Sequence, residues 1–285
     1  MTRSAAARWL LLATLWSLQF IFMRVAVPVF GTAPVAEARA LFAACFLLPW
    51  ALWIARLQLA PLEHWRDYLV VGLANNVLPF LCFAWAATVL PAGYMAVING
   101  TVPLWTAIFS ALILHERLRA ARVVGFLLGL IGVGMIVNLG PLELSWQILA
   151  ATAASLTGAA LWGWAGVLIK QRYGRLPPMA VAAGSVAFAA AIMLPLWTQA
   201  PPLEAWTPVA TANMVALGLL CTGFAYLPFF TLIRDIGPWR TLSVGMIVPL
   251  LGIFWGWLFL GEAVMLGMLA GATLVLVALV LVMKH

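Results

Sequence analysis

The fold is decided by a fifteen-residue stretch that occurs twice. The chain reads VPLWTAIFSALILHE at residues 102–116 and VPLLGIFWGWLFLGE at residues 248–262. The two copies share Val-Pro-Leu at the start, leucine at two later positions and a final glutamate, all 146 residues apart (248 − 102). A proline and a glutamate seldom recur together by chance in apolar sequence, so the match indicates a duplication.

The same offset relates further positions along the chain. The pairs are Leu15-Trp16 with Leu161-Trp162, Arg24 with Lys170, Gly72 with Gly218 and Gly125 with Gly271. A single register therefore predicts two repeats, one covering residues 1–140 and the other residues 147–285, within one transmembrane domain.

Composition places this duplicated chain in a membrane. Of its 285 residues, 66% are hydrophobic and 8% charged, whereas soluble domains carry about 25% charge. A spanning helix needs about 20 apolar residues. The apolar segments predict ten helices, at about 8–28, 34–54, 67–89, 92–114, 120–138, 147–169, 178–197, 208–232, 239–260 and 264–283. The sequence thus predicts an all-α integral membrane protein and excludes a soluble enzyme or a nucleic-acid-binding domain.

Five helices in each half force the second half to enter the membrane upside down. Inverted five-helix repeats are typical of secondary transporters, whose substrate sites lie near the membrane midplane between the repeats. All lysines and arginines except Arg24 and Arg39 fall at the termini or in alternate loops, on one side of the predicted topology. Because cytoplasmic loops are rich in basic residues, this pattern predicts a bacterial-type inner-membrane protein with both termini in the cytoplasm.

The sequence carries no motif for bond-making chemistry. It has no phosphate-binding loop, no HExxH and no GxSxG, and its three cysteines stand alone in apolar runs. We therefore predict no enzymatic activity, no ATP, no cofactor and no metal site. The central third of each predicted helix also lacks charge, because Glu37 and Arg39 fall toward the outer end of helix 2. An uncharged cavity with facilitated transport, or coupling through terminal carboxylates, follows from this reading.

The chain resembles the ten-helix exporters of the drug/metabolite transporter superfamily, the EamA type. The resemblance is carried by the stretches from Trp16 to Arg24, from Pro103 to Glu116 and from Pro249 to Glu262. The first repeat departs from the family pattern at His115, where many members have glycine. Among the branches, the sequence looks most like the aromatic amino-acid exporters, and this resemblance implies export of amino acids.

Polar and aromatic residues at predicted mid-depth are the candidate substrate contacts. They are Trp16, Gln19, Asn75, Asn76, Pro79, Phe83, Asn99, Thr101, Trp162, Tyr226 and Ser243. Amides in hydrocarbon need partners, so hydrogen bonding between helices is the alternative role for each of them. Adjacent side chains on a helix point about 100° apart, so one of Asn75 and Asn76 can pack while the other faces a cavity.

Two further sets of residues suggest how the halves move. Pro103 and Pro249 are equivalent and predict a pair of hinges, with static kinks as the alternative. Arg24 with Glu262 at the outer ends, and Lys170 with Glu116 at the inner ends, predict two gating charge pairs between the repeats. Separate snorkelling of these side chains is the alternative.

The uncharged, aromatic-rich interior favours apolar and aromatic amino acids as substrates. Amides can solvate both ends of a zwitterion, and rings can stack on its side chain. The alternatives are a multidrug carrier for lipophilic cations and, in a different class, a channel or structural membrane protein. The predicted partners are the small-molecule substrate and the lipid bilayer. The predicted state is a monomer, with a homodimer as the alternative.

Overall fold

The computed structural model describes residues 2–115, 120–139, 145–172, 176–202 and 205–284. These residues form ten helices: α1 Arg3–Phe30, α2 Thr32–Ile54, α3 Glu63–Ala86, α4 Ala92–Leu114, α5 Ala120–Leu139, α6 Trp146–Arg172, α7 Pro178–Gln199, α8 Pro208–Ile236, α9 Arg240–Leu260 and α10 Leu266–Lys284. All but α5 and α10 are long and apolar enough to cross a membrane, and those two contain the shorter apolar stretches Val123–Ile136 and Leu266–Leu281. The predicted all-α membrane class is confirmed.

Most of the main helix contacts join the first half of the chain to the second, or have an equivalent contact in the other half. Helix α2 packs against α7, α4 against α9, and α5 against α10. Helix α1 packs on α8 and α9, and its equivalent α6 packs on α3 and α4. Each contact therefore has a counterpart in which every helix is replaced by its equivalent from the other half.

Two aromatic ring contacts are formed by equivalent residues of the two halves. The rings of Trp16 and Phe229 lie 5.3 Å apart, and those of Trp162 and Phe83 lie 4.8 Å apart. Trp16 is equivalent to Trp162 and Phe83 to Phe229, since 16 + 146 = 162 and 83 + 146 = 229. The duplicated sequence thus builds the same contact twice across the interface between the halves.

Two helices are interrupted at equivalent depth by a wider turn. Residues Gly72–Val77 of α3 and Leu219–Phe224 of α8 form π-helical segments, an irregularity that is frequent at functional sites. Pro79 follows the first segment, but Ala225 stands at the equivalent position after the second. In α8 the proline comes three residues later, at Pro228, and both segments bring polar residues to the interior.

Small residues let α4 and α9 approach closely. A Cβ added to Gly100 would lie 2.9 Å from Cγ of Pro249, and one added to Gly93 would lie 3.3 Å from Cα of Ile253. Because the hydrophobic effect does not drive helices together inside a bilayer, close packing of this kind stabilises membrane bundles. The proline-bearing parts of the two halves are therefore in direct contact.

The two ends of the bundle can be distinguished by their polar contacts. Arg8 pairs with Asp235 at 2.6 Å, and the indole N–H of Trp9 donates to Ser243 Oγ at 3.1 Å. These bonds place the start of α1 beside the α8–α9 turn, where Gly237 has a φ of +85° that favours glycine. Arg24, residues 87–93 and Glu262 meet at the opposite end.

Candidate substrate site

Eight side chains from both halves meet inside the bundle, and we call them the interhelical cluster. They are Gln19 of α1, Arg39 of α2, Asn75, Phe80 and Phe83 of α3, Trp162 of α6, and Thr222 and Tyr226 of α8. The first three helices belong to the first half and the last two to the second. The cluster therefore lies where movement between the halves would alter its shape.

Arg39 is the centre of this cluster and is 5% exposed. Its Nε donates to Thr222 Oγ1 at 2.9 Å, and its Nη2 donates to Gln19 Oε1 at 2.7 Å. The remaining nitrogen, Nη1, is buried without a hydrogen-bond partner among the described residues. A cation held by two neutral acceptors thus keeps one donor group unused.

Aromatic rings fix the position of the guanidinium group. Its carbon lies 4.0 Å from the ring centre of Phe80 and 5.9 Å from that of Trp162. Trp162 in turn stacks on Phe83 with an angle of 20° between the ring planes. Because cations are attracted to ring faces, the rings hold the guanidinium group in one orientation.

The π segment of α3 carries two adjacent amides, of which Asn75 belongs to the cluster. The carbonyl of Asn75 accepts a hydrogen bond from the indole N–H of Trp162 at 2.8 Å. Asn75 Nδ2 donates to the hydroxyl of Tyr226 and to Asn76 Oδ1, both at 3.4 Å. Asn76 is fully buried and donates to Ser185 of α7 at 3.3 Å. Asn75 therefore faces the interior between α3 and α8, while Asn76 joins α3 to α7.

The prediction of an uncharged interior was wrong. Arg39 reaches the cluster from α2, and Glu37 of the same helix is also fully buried, with no partner for either carboxylate oxygen among the described residues. The two side chains leave the helix about 200° apart, so they do not pair with each other. The alanine-rich stretch around them, VAEARALFAA at 35–44, was the missed signal, because a helix packed closely on several sides cannot extend an arginine to water.

Several predicted contacts lie outside the cluster. Asn99 and Thr101 lie at the break in α4, where Thr101 Oγ1 donates to the Ile98 carbonyl at 2.7 Å and Asn99 Oδ1 is buried with no hydrogen-bond partner among the described residues. Ser243, predicted at mid-depth, instead lies at the end of the bundle beside Trp9. It sits there because it ends the short helix Pro238–Leu242 that precedes the rest of α9.

Two other predicted contacts border the cluster. The carbonyl of Trp16 accepts a hydrogen bond from Gln19 Nε2 at 2.7 Å. This bond orients the amide so that its oxygen can accept from Arg39. Pro79 is buried just after the π segment of α3, beside the Phe80 ring that covers the guanidinium group.

The predicted charge pair of Arg24 with Glu262 does not form. Arg24 Nη1 donates to the carbonyls of Ala87 and Thr88 at 2.8 and 3.3 Å, and Glu262 accepts from the N–H groups of Ala92 and Gly93 at 2.6 and 3.0 Å. Cations suit the carboxyl end of a helix and anions its amino end, so each charge binds a different end of the α3–α4 connection. Of the second predicted pair, Lys170 lies in the last turn of α6, and Glu116 lies outside the described residues.

The two predicted hinge prolines occupy different local positions. Pro103 is at the start of the segment Val102–Leu114, just after the break in α4 at Gly100 and Thr101. Pro249 lies inside the continuous segment Val244–Leu260 of α9. The break in α9 comes earlier, at Ser243, so the same proline stands beside a broken turn in one half only.

The fold and its buried site define a multi-pass membrane transporter. The model of the EamA-like transporter family matches residues 4–138 and again residues 146–284. The chain therefore belongs to the EamA-like transporter family, which contains transporters and not enzymes.

Curated relatives carry transporter names. The "Uncharacterized transporter YoaV" of Bacillus subtilis is 25% identical over 75% of this chain and 74% of its own length. The "Probable amino-acid metabolite efflux pump" of Salmonella typhimurium is 24% identical over 98% of this chain and 94% of its own length. A solved crystal structure with 20% identity superposes with a TM-score of 0.65, covering 99% of this chain and 96% of that one, and supports the fold.

Proposed function

We propose that this transporter exports amino acids, aromatic and other apolar ones, across the inner membrane by alternating access between its two halves. The moving units are the repeats 1–140 and 147–285, and both termini are cytoplasmic. The observation that carries the proposal is the interhelical cluster, because hydrogen-bonding groups and aromatic rings from both halves meet there around a buried cation. In transporters built from inverted repeats, substrates bind at this place.

The chemistry of the cluster suits a zwitterion with an apolar side chain. Asn75 and Tyr226 offer neutral oxygens, Arg39 offers N–H donors, and Trp162 and Phe80 offer ring surface. The side chains of Asn75, Tyr226 and Trp162 are only partly buried, which supports access of a ligand to them. The name of the Salmonella relative, an amino-acid metabolite efflux pump, supports the same substrate class.

The alternative of a carrier for lipophilic cations is disfavoured by Arg39. A fixed positive charge at the centre of the cluster repels a cationic substrate, and a site of low dielectric strengthens that repulsion. A channel is disfavoured as well, since selectivity filters use rings of charge or of carbonyl groups. The described residues place one arginine and single amides there instead.

Reconstitution of the purified protein into liposomes tests this proposal. Flux of phenylalanine, tryptophan, tyrosine, methionine, leucine and threonine is measured beside aspartate, a sugar phosphate and tetraphenylphosphonium. We expect the apolar and aromatic amino acids to move and the other three solutes to stay. Movement of tetraphenylphosphonium without any amino acid would contradict the proposal.

A matched pair of variants shows whether flux depends on the cluster. Asn75→Ala removes the amide that contacts Tyr226, whereas Asn213→Ala removes an amide of α8 that donates to the Val209 carbonyl of its own helix. We expect the first to lower flux about tenfold and the second to leave it unchanged. Flux without an imposed pH gradient supports facilitated transport, and strict dependence on such a gradient contradicts it.

A further inference from the structure

Arg39 carries a buried nitrogen, Nη1, that has no hydrogen-bond partner among the described residues. A guanidinium group carries five N–H bonds, one on Nε and two on each terminal nitrogen. Thr222 takes the bond on Nε, and Gln19 takes one of those on Nη2. Both N–H bonds of Nη1 therefore remain without an acceptor among the described residues.

No carboxylate of the described chain neutralises this buried charge. The ion pairs among the described residues, which join Arg8 and Arg234 to Asp235 and His64 to Asp67, lie on partly exposed side chains. Glu37 leaves α2 on another side of the helix. A buried cation without a counter-charge is costly, and the cost is relieved when an anion binds.

The free N–H bonds of the guanidinium group determine which kind of anion Arg39 can bind. The free Nη1 can donate to a carboxylate oxygen, and carboxylates are the anions with which arginine forms its favoured hydrogen-bonded pairs. Phe80 and Trp162 cover the guanidinium group and hold its plane, so little side-chain entropy is lost on binding. The site is thus organised before the ligand arrives.

We infer that Arg39 binds the carboxylate of the transported amino acid, and that a free carboxylate is therefore required for transport. The inference rests on the proposed function and adds the group by which substrates are recognised. With its carboxylate on Arg39, an amino acid can direct its ammonium group to the neutral oxygens of Asn75 and Tyr226. Amines and amides that lack the carboxylate leave the cation unpaired and are rejected.

A substrate series in liposomes holding the unmodified protein tests the requirement. Flux of phenylalanine is compared with that of phenylalaninamide and phenethylamine, which keep the ring and the amine but lack the carboxylate. We expect both analogues to move about 100-fold more slowly, since a site built to pair a polar group rejects molecules without it. Equal flux of phenylalanine and phenylalaninamide would overturn the inference while leaving amino-acid transport intact. Absence of flux for every amino acid would overturn the proposed function and this inference together.

Variants of the arginine provide the second arm of the test. Arg39→Gln is compared with Arg8→Gln, which removes a cation from the partly exposed pair with Asp235. We expect Arg39→Gln to lower phenylalanine flux about 100-fold and to abolish discrimination against phenylalaninamide, while Arg8→Gln changes neither. Elution volume and thermal unfolding in detergent establish that each variant is folded. A folded Arg39→Gln protein that still prefers phenylalanine to its amide contradicts the inference.

Discussion

The π segments of α3 and α8 make equivalent contacts with different side chains, one contact neutral and the other charged. Asn76 of α3 donates to Ser185 of α7 at 3.3 Å, and Thr222 of α8 accepts from Arg39 of α2 at 2.9 Å. These pairs are equivalent, since 76 + 146 = 222 and 39 + 146 = 185. One contact is neutral and satisfied, whereas the other contains a cation with an unused nitrogen.

The comparison shows that the two halves keep the same helix contact but differ in the side chains that form it. Both halves keep the π geometry and the helix that faces it, so the structural contact belongs to the repeat. The side chains differ, so the two equivalent contacts are electrically asymmetric although the same helices form them. A site that binds a molecule with two unlike ends, such as an amino acid, requires this asymmetry.

The largest expected effect on flux comes from a substitution that makes the charged contact neutral, like its counterpart in the other half. Arg39→Ser places at position 39 the residue found at the equivalent position 185. Phenylalanine flux in liposomes should fall about 100-fold, because loss of one partner of a buried charge contact is costly to binding. Arg8→Ser is the control, and its flux should stay at the level of the unmodified protein. A folded Arg39→Ser protein with normal flux contradicts the view that the charged contact serves transport.

The neutral contact should matter for stability more than for transport. Asn76→Ala removes the donor to the buried Ser185 hydroxyl, which keeps its bond to the Ala182 carbonyl, and should lower the free energy of unfolding by about 1–3 kcal/mol. Thermal unfolding in detergent measures this loss, and Asn213→Ala is the matched control. Transport by the folded fraction should change by less than about threefold. A large loss of transport with unchanged stability would give Asn76 a role in substrate binding.

The two equivalent tryptophans extend the comparison to the aromatic contacts. The indole N–H of Trp162 donates to the Asn75 carbonyl, whereas Trp16 contacts the cluster through its own carbonyl. Trp162→Phe should therefore lower phenylalanine flux about tenfold, and Trp16→Phe should have a smaller effect. Flux assays with phenylalanine and threonine separate the roles further, because loss of ring stacking should affect phenylalanine more. Equal losses in both variants and for both substrates would show that the rings only pack the bundle.

The prolines allow a test of movement in the two halves. Pro103 follows a broken turn and Pro249 lies in a continuous helix, so we expect Pro103→Ala to change the transport rate more than Pro249→Ala. The expected change is a few-fold, about 1 kcal/mol in the barrier, with little change in thermal stability. Unchanged rates in both variants would remove the hinge hypothesis.

An effect as small as that of the prolines is expected from exchanging the charges at one end of the bundle. Arg24→Glu with Glu262→Arg would preserve a direct pair, but each residue instead binds backbone groups of the α3–α4 connection. The double exchange should therefore fail to restore the few-fold flux loss, about 1 kcal/mol, that each single change causes. Restoration of flux by the double variant would show that the two charges pair in another state of the transport cycle.

The all-α membrane class and the transporter family could be predicted from the sequence alone. Apolar length and positive charge in alternate loops are local properties, and the recurring Pro103 and Pro249 register is visible in the letters alone. Five of the predicted site residues lie in the interhelical cluster, namely Gln19, Asn75, Phe83, Trp162 and Tyr226. Asn75 and Tyr226 meet across the interior because polar side chains inside a membrane bundle form hydrogen bonds with each other.

The central cation could not be located from depth along the helix alone. Arg39 is the eighth residue of α2, yet a long side chain and the closely packed neighbours of α2 direct its charge inward. The Arg24 and Glu262 interpretation failed for a related reason. Matching charges at equivalent ends did not reveal that the free N–H and carbonyl groups of an intervening turn would bind them first.

The structure of the protein with bound 4-iodophenylalanine tests the central claim most directly, because the anomalous signal of iodine locates the ring and the density locates the carboxylate. We predict the carboxylate about 2.8 Å from Nη1 of Arg39 and the iodinated ring between α3 and α8, beside Tyr226. Binding in the apolar groove lined by Trp105, Thr157 and Trp164, or a carboxylate that points away from Arg39, would contradict the account.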